Sequence, residues 1–306
     1  MKFFLVFLLF STLFLAAGSF AISQAQSPSQ NVYALEIQGL AWDKSTLKIL
    51  LTPPQNNESW WNPIYINSTL RAIGQWNDAI KSFSSSYADF NYLSNLKLEP
   101  TVSTYNESGF DIYINWTQSN LASSADEVGL TTLTSESNAI IGCTINLATH
   151  THHGEPLIDG DMQNIALHEL GHALGLGHSN DTGDVMFPDI NLLGPAKSIS
   201  TLDGYGVATT FAWMTNQFNF YPVSDWLKPD PVVLPSNIKY SYLPVSPQNA
   251  RPNTLQNNTI LQSLILDIEL ILHPIILAPI LAIIIFGIVI LLFGRLRNRR
   301  APKAGS

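Results

Sequence analysis

One cysteine, Cys143, stands in 306 residues, so no disulfide can form within the chain. Charge is sparse, at 12% of residues, and no acidic residue lies beyond Glu269. Of the 15 basic residues, Arg295, Arg297, Arg299, Arg300 and Lys303 fall at the C-terminal end and one more is Lys2. Between them remain nine basic residues against 23 acidic ones, a net charge of −14. A segment of that sign lacks the basic stripe that nucleic-acid binding depends on, so no nucleic-acid partner is expected. No internal repeat is evident.

Long apolar runs occur at both ends. Lys2 precedes the run Phe3 to Ala17, and small residues follow around Ser19-Phe20-Ala21 and Ser23-Gln24-Ala25. This resembles a secretory signal peptide over 1–25, with an uncleaved signal anchor as the alternative. Pro274 to Gly294 is 21 residues without a charge, dominated by Ile and Leu, enough to cross a bilayer as a helix. The basic cluster of 295–306 follows at once, and the positive-inside rule keeps it in the cytoplasm. The expectation is a cell-membrane protein with a single type I span and its body outside the cell. Six Asn-x-Ser/Thr sequons, beginning at Asn57, Asn67, Asn106, Asn115, Asn180 and Asn257, suit that compartment.

The chemistry is concentrated in His168-Glu169-Leu170-Gly171-His172-Ala173-Leu174-Gly175-Leu176-Gly177-His178. Residues four apart lie one above the other on a helix, so His168 and His172 can hold one metal ion. Glu169 sits about 100° round the helix, within reach of a water on that ion without ligating it. His178 is too far along to share that face on a straight helix. Gly175, having no Cβ, can turn the chain left-handed and return His178 to the metal. Three neutral imidazoles leave a fourth tetrahedral position open, the mark of a catalytic rather than a structural zinc.

The pattern His-Glu-x-x-His-x-x-Gly-x-x-His resembles the metzincin metalloproteases. Ser179 after the third histidine is similar to the matrixin branch, and Met186 within Val185-Met186-Phe187-Pro188 resembles the Met-turn beneath the zinc. Astacin-like and serralysin-like enzymes carry a tyrosine two residues after that methionine, where this chain has Pro188. The resemblance implies an α+β fold, a twisted mixed β-sheet with three main helices, followed here by the C-terminal transmembrane helix. It implies a zinc endopeptidase with one catalytic Zn²⁺ on His168, His172 and His178, Glu169 as general base, and protein or peptide substrates. Many matrixins are held latent by a pro-segment cysteine; none stands before the first strand here, so that latency is not expected. A metzincin of another branch acting on cell-wall peptide, or a non-catalytic scaffold serving binding or adhesion, would share this helix.

In chain order, Trp42 to Leu51 reads as the first strand. Ile66, Leu70, Ile73, Trp76, Ile80 and Phe83 form one apolar helical stripe, capped by Asn67 or Ser68. Leu96 to Val102, Phe110 to Trp116 and Ala139 to Leu147 read as strands, the last burying Cys143 as an inert thiol. Ala122 to Ser137 reads as a polar loop. By the resemblance, Ile140 to Leu147 includes the edge on which an extended substrate adds as a strand. His150, His152 and His153 with Glu155, Asp159 and Asp161 are candidates for a further Zn²⁺ or Ca²⁺. The zinc helix is expected over about Asp161 to Leu174. In matrixins the loop after the Met-turn, here Pro188 to Ile199, walls the pocket for the side chain following the scissile bond. Ser200 and Asp203 make a capping box for a last helix ending near Phe211. The matrixin-like domain is thus expected over 26–217. A proline-rich extended stalk follows at 218–257, then a juxtamembrane segment at 258–273 and the span at 274–294.

Overall fold

The alternation read near residues 112–116 and 139–147 builds the centre of a sheet. A computed structural model describes residues 32–55, 58–118, 127–215 and 219–251. The expected signal segment, juxtamembrane segment, apolar span and basic tail lie outside the described residues. Among the described residues no helix is long and apolar enough to cross a membrane.

The first seven strands are β1 (Ala34–Ile37), β2 (Ala41–Trp42), β3 (Thr46–Thr52), β4 (Lys97–Val102), β5 (Ile112–Thr117), β6 (Gly129–Glu136) and β7 (Ala139–Ala148). All but β1 form one sheet of order β2-β7-β5-β3-β4, with β6 added on β7. Strands β3, β4, β5 and β7 run parallel and β6 antiparallel, so the sheet is mixed, as expected. Ile112, Ile114 and Trp116 of β5 are buried, as are Cys143, Ile145 and Leu147 of β7. Burial also pushes the Cys143 thiol far above its ordinary pKa, which leaves it inert.

Three α-helices are described: α1 (Ile64–Ser86), α2 (Asp159–Ala173) and α3 (Thr201–Thr210). Ile73, Trp76, Ile80 and Phe83 of α1 are buried. The helix starts earlier than Asn67 or Ser68. Pro63, with φ −58°, is already set for helix, and Asn62 Oδ1 accepts from the Ile64 N–H at 3.1 Å. Ser68 lies inside and donates back to the Ile64 carbonyl at 2.9 Å. The capping box at Ser200 and Asp203 forms as expected.

Two tryptophans fix α2 by its backbone. Trp76 Nε1 donates to the Leu167 carbonyl at 2.9 Å and Trp42 Nε1 to the Ala173 carbonyl at 2.8 Å. Arg71 on α1 pairs with Asp159 and donates from Nε to Gln163 Oε1 at 3.0 Å. Asp161, also in the first turn of α2, accepts from the Leu193 N–H at 2.8 Å. Both carboxylates are therefore engaged in holding the fold.

Two expectations are corrected. Residues 129–136 are strand β6 rather than loop, paired with β7 along its length from Gly129↔Leu147 to Glu136↔Ala139. Strand β7 is consequently interior, and β6 is the edge. Its Gly-Leu-Thr-Thr-Leu-Thr run is polar because one face meets solvent, not because it lacks partners.

The second correction concerns the stalk. Over its described part, 219–251, the segment folds back on the domain. Val223, Leu227, Ile238 and Leu243 are buried. Strand β9 (Val232–Val233) pairs antiparallel with β1, and β1 pairs antiparallel with β8 (Leu176–Ser179), giving a second sheet of order β8-β1-β9. Ser246 and Asn249 donate to Asp78 Oδ2, at 3.0 Å from Ser246 N, 2.7 Å from Ser246 Oγ and 2.8 Å from Asn249 Nδ2. Gln75 on α1 and Gln163 on α2 both donate to the Asn249 carbonyl, at 2.8 and 3.1 Å. The prolines shape this strap against the surface without extending it away.

Candidate metal centre and its cleft

Helix α2 ends where the metal site needs it to end. Gly175 adopts φ +90°, and a Cβ there would lie 2.8 Å from the Leu40 carbonyl oxygen, so both the turn and the close approach require glycine. The chain then enters β8, which carries His178 back across the helix end. Ligand nitrogens of His168, His172 and His178 all lie within 4.8 Å of one another.

Tautomers follow from the hydrogen bonds. His168 Nδ1 lies 2.8 Å from the Val185 carbonyl and His172 Nδ1 lies 2.9 Å from the Leu176 carbonyl. A carbonyl only accepts, so each Nδ1 carries the proton. Burial lowers the pKa of His168 to about 3 and that of His172 to about 4, so both rings are neutral near pH 7. Their Nε2 atoms, 3.0 Å apart, therefore present lone pairs to each other. That arrangement is repulsive unless a cation lies against both, and neutral imidazoles fixed through Nδ1 to carbonyls are the donor set that zinc takes. The residues present fit zinc.

Met186 is fully buried beneath this site. Its sulfur and methyl fill the space a side chain at Gly171 would need, and its carbonyl accepts from the Ser179 N–H at 2.8 Å. Glu169 is buried too, and desolvation raises its pKa to about 7. Thr131 Oγ1 on β6 lies 2.7 Å from Glu169 Oε2. The three histidines and Glu169 lie in a cleft of about 860 Å³, lined also by Gly129, Leu130, Thr131 and Leu133 of β6 and by Pro188, Asp189, Ile190 and Leu192.

The second metal group is not assembled. His150 Nδ1 pairs with Thr149 Oγ1 at 2.9 Å, His152 and His153 stack with ring centroids 3.6 Å apart, and Asp159 and Asp161 are used as described above. Among the described residues, the three histidines are the one group placed to share an ion. Thr131 and Gly129 lie on β6, whose polar residues read as a loop in isolation. Three β-branched residues, Thr131, Thr132 and Thr134, are the strand signal it carries.

The sequence of residues 75–212 matches the peptidase M10 family, matrixin. Over that stretch the chain is similar to matrixins. Matrixins are zinc-dependent metallopeptidases, in keeping with the three-histidine group. The chain is similar to karilysin of Tannerella forsythia, 28% identical over 158 residues that cover 50% of this chain and 29% of the relative. It is also similar to metalloendoproteinase 1 of Glycine max, 53% identical over 30 residues, 10% of each chain. This chain thus spans under a third of either relative's length.

Next to Met186 lies a pair of buried carboxyls, Asp184 and Asp203. Asp184 Oδ1 accepts from the Met186 N–H at 2.8 Å and its Oδ2 from Ser200 Oγ at 2.8 Å. Asp203 Oδ2 accepts from the Ser200 N–H at 2.7 Å, while its Oδ1 has no donor. Burial, then the charge of Asp184, raises the Asp203 pKa well above the carboxylate range, so Asp203 holds a proton to higher pH than a solvated carboxyl does. The folded state binds this proton and the unfolded chain releases it above the ordinary carboxylate value. Stability from the pair is therefore complete below that value and is lost as pH rises through the folded pKa. In thermal melts from pH 4 upward, Asp203→Asn, which keeps a donor without a titrating proton, is expected to show a flatter pH dependence than the parent. A variant curve parallel to the parent's would contradict a raised pKa at Asp203.

Proposed function

We propose that this chain is a membrane-anchored extracellular zinc endopeptidase, with His168, His172 and His178 as zinc ligands and Glu169 as general base. The observation that carries the reading is the meeting of three inward-facing imidazoles with one buried carboxylate in a cleft beside a free sheet edge. Bound zinc supplies a water of lowered pKa and polarises the scissile carbonyl. Glu169 would take a proton from the attacking water and deliver it to the leaving amide nitrogen. The free edge of β6 offers backbone groups to an extended peptide, which pairs as an added antiparallel strand. Pro188, Asp189, Ile190 and Leu192 line the same cleft and offer a wall to a substrate side chain. Val185 and Leu176 set the histidine tautomers through their carbonyls, and Met186 supports the helix from below. The anchor rests on the apolar run 274–294 and its basic flank, and extracellular placement on the signal-like residues 1–25.

The test is cleavage of a mixed peptide library by the full-length protein. We expect cleavage that a chelator abolishes and added zinc restores. Glu169→Gln should keep zinc and lose activity by about 10²–10⁴-fold, the usual worth of a positioned acid–base group. A zinc-loaded parent that cuts no peptide would overturn the protease reading in favour of a binding scaffold.

A further inference from the structure

We propose that Thr131 is a positioning residue for Glu169, fixing the carboxylate against the edge strand from which substrate is approached. The inference rests on the protease reading above and adds to it a residue outside the zinc-binding motif. Thr131 Oγ1 lies 2.7 Å from Glu169 Oε2 and 3.0 Å from the carbonyl oxygen of the same residue. The carboxyl oxygen is the shorter contact and takes the hydroxyl proton. Two residues before, on the same face of β6, Gly129 leaves bare strand where the carboxylate lies; a Cβ there would be 2.8 Å from Glu169 Cδ and closer still to Oε1. The carboxylate is therefore held by one hydrogen bond on one side and by contact with backbone on the other. It is buried, so no bulk water replaces the hydroxyl if that is removed. A base that must reach one water in one direction loses efficiency when its rotamer is free.

Strand β6 also packs on α2, so Thr131 could serve only as a staple between them. The experiment separates the two roles with Thr131→Val, of the same shape without the hydroxyl, and Thr131→Ser, which restores it. Each full-length variant is assayed for kcat, KM, bound zinc and melting temperature, and crystal structures locate the Glu169 carboxylate. We expect Thr131→Val to keep one zinc and to melt within a few degrees of the parent. Its kcat should fall on the order of tenfold with KM within about twofold, as when an interaction realised in the transition state is removed. In the crystal its Glu169 should leave β6, and Thr131→Ser should restore both position and rate. An unchanged kcat in Thr131→Val, or a Glu169 that stays in place without the hydroxyl, overturns the proposal. So does a loss of rate that tracks a loss of zinc or of melting temperature. Should the parent itself bind zinc and cleave nothing, the protease reading fails, and the position of Glu169 in the two crystals still decides whether Thr131 holds it.

Discussion

Ending the chain after Thr215 is expected to abolish cooperative unfolding of the folded domain. The removed strap buries Val223, Leu227, Ile238 and Leu243. At about 1.5–3 kcal/mol for each buried apolar side chain, their loss is comparable with the roughly 5–15 kcal/mol that holds a whole domain together. The damage reaches the metal centre by a short path. Strand β9 pairs with β1, and β1 pairs with β8, which carries His178. Without β9, β1 becomes a frayed edge and the third ligand loses its support. Ser246 and Asn249 no longer tie Asp78, Gln75 and Gln163, and the glycine notches at Gly74 and Gly160 that receive Asn249 and Arg251 are opened to water. A chain ended after Asn257 keeps all of these contacts and serves as the comparison. Calorimetry should show a single transition for the longer chain and none for the shorter. Equal melting temperatures would mean that the strap is an ornament on an independently stable domain.

His172→Ala is expected to lose zinc and, with it, all measurable proteolysis. Groups that only orient a ligating histidine are worth about 10–100-fold in metal affinity, so deletion of the ligand itself should cost on the order of 100-fold or more. His168→Ala and His178→Ala should behave alike. His153→Ala, in the loop at the cleft rim, removes no proposed ligand and should retain zinc to within about twofold of the parent. Zinc remaining after dialysis against a graded series of chelator concentrations gives the comparison directly. Loss of zinc in His153→Ala comparable with that in His172→Ala would place the metal elsewhere.

The metal centre was legible in the sequence because its determinants are local. His168 and His172 are one helical turn apart, and Gly175 at φ +90° is a backbone position a single residue can announce. The capping box of α3 was readable for the same reason. What escaped was settled by distant partners. Strand β6 looks polar in isolation and becomes a strand through β7, its register fixed by Leu133 opposite Cys143 and Thr131 opposite Ile145. The residues 219–251 have prolines and no apolar period, so nothing along the segment marks Val223 or Leu243 as core. Their burial depends on surfaces supplied by residues far earlier in the chain. Thr131 combines both difficulties, being a common residue on a strand that is polar in isolation, and its role shows only in its contact with Glu169.

X-ray absorption at the zinc edge of the full-length protein, beside His172→Ala, tests the central claim most directly. The predicted spectrum has one zinc per chain with three nitrogen ligands at about 2.0–2.1 Å and one oxygen, and it is lost in the variant. A sulfur ligand at about 2.3 Å, or a spectrum that His172→Ala leaves unchanged, would contradict a zinc held by the three histidines.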